Sequence, residues 1–460
     1  MLTSELEHAL LTQLNTLSLK PDATIYVALS GGLDSACLLH ALWQVNLKNP
    51  LPQRVCVLHV HHGLSTNADH WLNFCAQKVS TYGFEFHSEK VILSGQGSIE
   101  DQARESRYGV FKSYLTDADV VLMAHHSDDQ VETFMMRLMR GSGLTGLSAM
   151  ESKRDLGKGE LLRPWLHVSR KALERYKKQN HIEHIEDESN ADASFDRNWW
   201  RHHLLPTLNK RFTQSQTSIL KTIDVLRQEN QLLQELLEPI YQSAISHNID
   251  SETTCTGLST SHKTLSIDVL LGQSVNVRLQ VLRMWLAKQY IYPRLNSKQL
   301  EKIWAEVALA KVDANPKFVW QGHEIRRYQN RLFVLDALPE VDESLLLPQV
   351  FNGESLSLLA GKLSCEHDTQ GLQPADYELA FYQGGLKAKP LGQQTKTLKK
   401  WMMAHDIPPW VRPFWPLLLK DGQVACVPGL FVCEGFAANA GSQPDDKGWQ
   451  LDFILNLPKK

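Results

Sequence analysis

Ser30-Gly31-Gly32-Leu33-Asp34-Ser35 is the stretch with the clearest capacity for chemistry. It lies where an apolar run, Thr24 to Leu29, gives way to the helical pattern Ser35-Ala36-Cys37-Leu38-Leu39. Two glycines let a backbone approach an anion, and the amides freed at a helix start point at it, so this strand, turn and helix predict a phosphate site. Ser30 and Ser35 add hydroxyl donors. Asp34 is odd company for a phosphate and makes most sense beside magnesium or a reacting proton. The loop is not of the Walker type, since no Gly-x-x-x-x-Gly-Lys-Ser/Thr occurs in the chain.

A second polar group, Ala124-His125-His126-Ser127-Asp128-Asp129-Gln130-x-Glu132-Thr133, follows another apolar run. Asp128 is expected to cap the helix that starts there. Asp129 and Glu132, three apart, share one helix face. With Asp34 they can supply carboxylates around a triphosphate, where magnesium is held by one or two protein oxygens plus the phosphates. A zinc site from His59, His61, His62 or His125 lacks cysteine partners and a ligand spacing. Gly141-Ser142-Gly143-Leu144-Thr145-Gly146 matches a dinucleotide pattern but follows a helical segment, whereas a Rossmann loop follows a strand. It is read as a helix terminus and flexible loop.

The elements that must position these groups are legible as apolar, β-branched runs beginning near Thr24, Arg54, Glu85 and Asp119. Each is followed by helical spacing, as in Ala68 to Tyr82 and Ile99 to Leu115, the latter opening on the capping-box spacing Ser98-x-x-Asp101. Alternation of this kind predicts a doubly wound α/β domain with a parallel sheet, whose ligands lie outside the carboxyl ends of the strands. After Asn209, helical spacing from Ile219 to Ile240, then Val277 to Tyr290 and Lys298 to Ala310, predicts a helical middle domain. Pro339 to Pro348 reads as a linker. Beyond it, Leu417 to Lys420 and Gln423 to Val427, separated by Asp421-Gly422, read as a hairpin in a small α+β domain. The expected division is 1–212, 213–338 and 349–460.

At 460 residues two or three domains are expected. Met1 to Leu17 is amphipathic and there is no run of 18 apolar residues, which predicts a cytoplasmic protein with no membrane partner. Seven cysteines spread along the chain fit reduced thiols. A net charge of −3 excludes a uniformly basic surface but not a basic contact face. Lys153 to Lys178 holds nine Lys or Arg against three acids, and Tyr382 to His405 holds Lys387, Lys389, Lys396, Lys399 and Lys400 with no acid. Arg197 and Arg201 flank Trp199 and Trp200. Their planar guanidinium forks suit phosphate oxygens.

The Ser30 to Ser35 loop resembles that of the PP-loop ATP pyrophosphatases, whose fold is adenine nucleotide alpha hydrolase-like and which cleave ATP to AMP and pyrophosphate. Across nearly the whole chain the order of segments resembles the tRNA(Ile)-lysidine synthetases within that superfamily. The segments are the loop itself, His59-Val60-His61-His62-Gly63-Leu64, Ala103-Arg104-x-x-Arg107-Tyr108, and His126 through Thr133. They continue with Arg140-Gly141-Ser142-Gly143-x-x-Gly146-Leu147, Arg163-Pro164, and Glu188-Ser189-Asn190 followed by Arg197-Asn198-x-x-Arg201. Lys399-Lys400-Trp401, Pro408-Pro409-Trp410 and Pro428-Gly429 resemble the C-terminal domain of the longer members. Trp165 departs from the family's usual aliphatic residue.

The resemblance implies a ligase that uses ATP, magnesium and free L-lysine. ATP adenylates the C2 oxygen of the wobble cytidine in tRNA(Ile) with a CAU anticodon, and the lysine ε-amine then displaces AMP to give lysidine. It implies that Ser30, Gly31, Gly32, Leu33, Asp34 and Ser35 hold the pyrophosphate, that Asp34 and Asp129 hold magnesium, and that Glu132 receives lysine. Lysine attacks only as the neutral amine, and spacing leaves open which of Asp34, Asp129 and Glu132 takes its proton. Arg197 and Arg201, with Lys396, Lys399 and Lys400 in the C-terminal domain, are the expected tRNA contacts. A catalytic domain of about 200 residues has a radius of gyration of only about 16 Å, so contacts far from the anticodon fall to other domains. The rival readings are a PP-loop tRNA thiolase, disfavoured by the absence of Cys-x-x-Cys, an amidotransferase-type synthetase, for which no glutaminase segment is present, and a tRNA-binding protein without catalysis.

Overall fold

The amphipathic start folds as expected: Ser4 caps α1 (Glu5–Leu14) by accepting the Glu7 amide at 3.3 Å, and Leu6, Leu10 and Leu14 bury one face. The computed structural model describes residues 4–63, 65–92, 99–186, 196–246, 264–289, 295–311, 314–338, 349–358, 361–368, 371–438 and 448–455. The chain divides into two units, Met1–Leu233 and Gln234–Lys460. Leu64, Ser98, Glu188-Ser189-Asn190 and the Pro339 to Pro348 linker lie outside the described residues.

In the first unit β1 (Thr24–Ala28), α2 (Leu33–Lys48), β2 (Arg54–His61), α3 (Ala68–Tyr82), β3 (Glu85–Lys90), α4 (Ile99–Tyr114), β4 (Val120–Leu122) and α5 (Ser127–Met139) alternate as the pattern requires. Then come α6 (Leu144–Leu147), β5 (Lys153–Leu156), β6 (Gly159–Leu162), α7 (Arg170–Gln179), α8 (Asp196–Trp199), a π turn over Trp200–Leu204, α9 (Leu205–Arg211) and α10 (Ser215–Ala244), which runs past the unit boundary. The sheet order is β3-β2-β1-β4-β6-β5. Five strands are parallel, and β5 pairs antiparallel with β6 at one edge. Ile25, Val27, Val57, Val120 and Leu122 are fully buried, as strands covered on both faces must be. β1 and β4 run in adjacent positions although two strands separate them in sequence, which makes the gap between their carboxyl ends the switch point where ligands bind.

Three features add detail that the pattern does not carry. β4 begins one residue after Asp119 because that carboxylate is used sideways, accepting the amides of Thr24 at 2.7 Å and Thr116 at 2.8 Å. The Gly141 to Gly146 segment is not simply a loop: Gly143 starts α6, and Arg137 holds the carbonyls of Gly146 and Ala149 at 2.8 and 2.6 Å. Trp165, the departure from the family pattern, is fully buried and donates its indole N–H to the Leu6 carbonyl at 3.1 Å, tying α1 to the sheet.

The second unit contains the helical region, with helices Ile267–Leu271, Val275–Lys288 and Ser297–Lys302 and a π turn over Ile303–Ala308. An antiparallel sheet accompanies it, built from Ile245–Ser246, Thr264–Ser266, Arg331–Asp336, His323–Tyr328 and Lys317–Trp320 in that order. Downstream, the hairpin of Pro416–Lys420 and Gln423–Val427 turns at Asp421 (φ 49) and Gly422 (φ 73), the two positive values a type I′ turn needs. Cys426 and Cys433 are buried free thiols in this core. Phe333 and Leu335 share it with Phe351, Trp401, Trp410 and Trp415, so the two parts of this unit are held by one hydrophobic cluster.

Candidate active site

The turn from β1 into α2 is drawn tight by its own hydroxyls. Ser35 Oγ accepts the Ser30 amide at 3.2 Å, donates to the Gly32 carbonyl at 3.0 Å, and lies 3.1 Å from Ser30 Oγ. Gly31 has φ +90, and a Cβ there would meet Ile185 Cδ1 at 2.5 Å, so both backbone and space require glycine. Gly32 caps α2 without a side-chain acceptor, which leaves the first-turn amides of a 16-residue helix directed at the switch point.

Asp34, in that first turn, meets a guanidinium and an imidazole. Arg170 Nη1 donates to its Oδ1 at 2.5 Å, and His126 Nε2 lies 3.7 Å from its Oδ2. His126 is only 2% exposed and also stands 3.6 Å from Asp129 Oδ2 and 3.9 Å from Asp128 Oδ1. Burial opposes its charge, but Asp34, Asp129 and Asp128 together hold its pKa above the ordinary imidazole value. Burial likewise opposes the charge on Asp129, and His126, Arg197 and the His126 amide outweigh it, bringing the carboxyl down to about 2.

Asp128 does not cap α5. Asp129, three residues into the helix, accepts the His126 amide at 2.9 Å, while Asp128 Oδ1 accepts the Arg170 amide at 3.1 Å, the first N–H of α7. A side chain expected to serve its own helix instead anchors a neighbouring one and fixes Arg170 beside Asp34.

Asp129 and Glu132 do share a face, and Arg197 and Arg201 close on it. Arg197 donates Nε to Glu132 Oε2 and Nη2 to Asp129 Oδ1, both at 2.7 Å. Arg201 donates Nε to Glu132 Oε1 at 2.7 Å and Nη2 to Oε2 at 3.0 Å. Glu132 is 1% exposed, and both its oxygens are occupied. The two arginines are therefore turned onto carboxylates here. Of the flanking tryptophans, Trp200 is buried and Trp199 is 45% exposed.

Lys396, Lys399 and Lys400 belong to the second unit. Lys396 Nζ sits over the Trp401 ring at 4.6 Å, and Lys399 and Lys400 are exposed on the helix Leu398–Ala404, whose Trp401 is buried and donates to the Ala388 carbonyl at 3.0 Å. The candidate zinc histidines are placed otherwise: His59 Nδ1 pairs with the Leu29 carbonyl at 2.8 Å, and His62 is pushed down to about 4 by burial and Arg107.

His126 and Arg170 join this cluster although no spacing in the sequence points to them. His126 lies among the polar residues after β4, where nothing in the sequence ties it to Asp34. Arg170 was one of nine basic residues between Lys153 and Lys178, and its partner lies 136 residues away. As a donor set, Asp34 and Asp129 offer hard carboxylate oxygens from adjacent strand ends, both facing His126, which suits a magnesium ion carried in with phosphates.

Residues 2–208 match the model of a PP-loop domain, residues 265–333 that of a TilS substrate binding domain, and residues 377–452 that of a TilS substrate C-terminal domain. The tRNA(Ile)-lysidine synthase of Coxiella burnetii is 34% identical, covering 95% of this chain and 94% of that one. Those of Serratia proteamaculans and Vibrio cholerae (strain El Tor Inaba N16961) are each 36% identical. They cover 93% and 90% of this chain, and 95% and 92% of their own lengths. Among solved structures, a U34-tRNA thiolase from Methanococcus maripaludis superposes with a TM-score of 0.40 at 15% identity, covering 48% of this chain and 79% of that one, a likeness too loose to bear on function.

Proposed function

The chain belongs to the tRNA(Ile)-lysidine synthase family of PP-loop ligases, and from that premise we propose that it joins free lysine to C2 of the wobble cytidine of CAU-anticodon tRNA(Ile). In the first step the cytidine O2 attacks the α-phosphorus of ATP and pyrophosphate leaves. In the second the lysine ε-amine attacks C2, AMP departs with O2, and the amine proton passes to a base. The observation that carries the proposal is the meeting of Asp34 from one strand end and Asp129 from the next around His126, beside an anion-receptive helix start.

In this reading the amides and hydroxyls of Ser30 to Ser35 hold the leaving pyrophosphate. Arg170, beside Asp34, adds a fork suited to phosphate oxygens. Magnesium, held by Asp34 and Asp129, would offset charge developing on the phosphates. Asp129, at about 2, is a poor proton acceptor near neutrality and is better suited to holding a cation. Glu132 is already neutralised by two guanidinium groups, so lysine's ammonium reaches it as Arg197 or Arg201 withdraws to an RNA phosphate. Such an exchange keeps the buried carboxylate paired throughout.

The test is pyrophosphate release. ATP and unmodified tRNA(Ile) without lysine are expected to give pyrophosphate in an amount that follows the RNA, and none when the wobble cytidine is replaced. Release that needs lysine but no RNA would point to activation of the amino acid instead.

The division into a catalytic domain (1–212), a tRNA and substrate domain (213–338) and a C-terminal tRNA-binding domain (349–460) is part of the same proposal, as is action in the cytoplasm. Among the described residues no helix is long and apolar enough to cross a membrane. Lys396, Lys399 and Lys400 are assigned to tRNA contacts away from the anticodon. Deleting 349–460 would strip Phe333 and Leu335 of their core, so substitution is the cleaner test. Lys399→Ala with Lys400→Ala is expected to weaken tRNA binding several-fold and to lower its salt slope by about 0.7 to 0.9 per charge, measured by filter binding over a salt series. An unchanged slope would make these lysines a solvated face only.

A further inference from the structure

The segment Ala103-Arg104-x-x-Arg107-Tyr108 has no part in the site above, yet its Tyr108 gathers three arginines, Arg104, Arg154 and Arg163. The Arg154 guanidinium lies over the Tyr108 ring at 4.9 Å from its centroid and that of Arg104 at 5.5 Å. Arg163 directs Nη2 to the Tyr108 hydroxyl at 3.4 Å and Nη1 to the Glu151 carbonyl at 2.8 Å. Arg163 is 3% exposed, and its buried Nε has no hydrogen-bond partner. Around the buried Arg163 guanidinium the charged neighbours are Arg154 and Arg104, with Tyr108 as the opposing group.

Such a cluster is costly as it stands. Like charges repel, a buried guanidinium loses its hydration, and an unmet donor inside the protein forfeits a hydrogen bond. Contact with the tyrosine face offsets part of this and no more. Anions complete such arrangements, and the planar fork of arginine fits phosphate oxygens two at a time.

Position identifies which phosphate. Arg163 directly follows β6, the parallel neighbour of β4, and β4 delivers His125 and His126 to the site. The cluster is close enough for its charge to be felt there: burial pushes His125 down to about 3, against the pull of Asp129 and with the help of Arg163, Arg197 and Arg104. It therefore lies on the β6 side of the carboxylates, whereas the Ser30 to Ser35 turn, the receptor for pyrophosphate, lies on the β1 side.

We propose that Arg104, Arg154 and Arg163, assembled on Tyr108, form a second phosphate site that takes a backbone phosphate of the substrate RNA next to the base being modified. This rests on the tRNA reading above and adds residues that fix the RNA strand while its base reaches Asp34 and Asp129. Arg104→Gln with Arg154→Gln leaves Tyr108 and the buried Arg163 in place, so the fold is retained.

Binding of unmodified tRNA(Ile) is then measured over a salt series, with ATP binding measured in parallel. The double variant is expected to raise the tRNA Kd at least about 10-fold, the loss of charge-assisted hydrogen bonds, and to lower the salt slope by about 0.7 for each charge removed. ATP affinity is expected to be unchanged. Arg104→Lys with Arg154→Lys should restore the slope but only part of the affinity, because a point charge lacks the fork. Unchanged tRNA affinity and slope would overturn the proposal and leave a stack that serves the fold. A fall in ATP affinity with RNA binding intact would overturn it too, assigning the arginines to the nucleotide. Failure of the wild-type protein to bind the tRNA would show separately, without any variant, that the underlying reading is at fault.

Discussion

Asp34→Ala is expected to abolish lysine incorporation while leaving tRNA affinity within a few-fold of wild type. In the proposed reaction this carboxylate meets charge that builds mainly as pyrophosphate departs, so its removal falls on the transition state and little on RNA binding. Its loss also leaves Arg170 without its 2.5 Å partner, with Glu174 at 3.3 Å still beside it. Both side chains of that pair are about one-third exposed, so the cost in stability is small, about 0–1 kcal/mol, and the variant should remain folded. Steady-state incorporation, read beside a thermal melt and a tRNA titration, separates these effects. Near-normal turnover in a folded variant would remove Asp34 from the chemistry.

Glu132→Ala should harm both stability and activity. Wild-type Glu132 neutralises Arg197 and Arg201 from a position 1% exposed, and without it two guanidinium groups compete for Asp129 alone. Truncating one partner of a buried ion pair costs about 3–5 kcal/mol. The arginine side chains are 28% and 36% exposed, so solvent relieves part of this, and about 2 kcal/mol remains. For a unit of this size the melting temperature should fall by about 4–8 °C. Lysine incorporation should fall at least about 100-fold, because in the proposed reaction this carboxylate receives the ammonium. Arg201→Ala, which leaves Arg197 on both carboxylates, should be the milder change. A Glu132→Ala protein that melted like wild type would show that the lattice of two carboxylates and two arginines contributes nothing to the fold.

Much of the first unit was legible because its signals are local. The run at Thr24 buries Ile25 and Val27 on one face and that at Arg54 is buried from Val55 to His59, α3 spans Ala68–Tyr82 as its spacing required, and Asp421-Gly422 dictates its turn. β5 and the strands of the middle sheet were hidden. Lys-Arg-Asp-Leu reads as a charged surface, and the hairpins at Gln321-Gly322 and Gln329-Asn330 lack the Asn-Gly or Asp-Gly signal although all four residues have positive φ. In the site, spacing placed Asp129 and Glu132 on one face but could not supply their partners. Arg170 reaches Asp34 across 136 residues, and Asp128 serves α7 in place of α5, because both depend on how the strand ends converge.

The central claim is that this chain forms a carbon–nitrogen bond on a wobble cytidine, and it is tested most directly by incubating the purified protein with labelled lysine, ATP, magnesium and unmodified CAU-anticodon tRNA(Ile). Label is expected in the RNA, dependent on ATP, recovered after digestion on the wobble nucleotide, and lost when that cytidine is replaced. RNA that stays unlabelled while ATP and tRNA both bind, or label that survives replacement of the wobble cytidine, would contradict it.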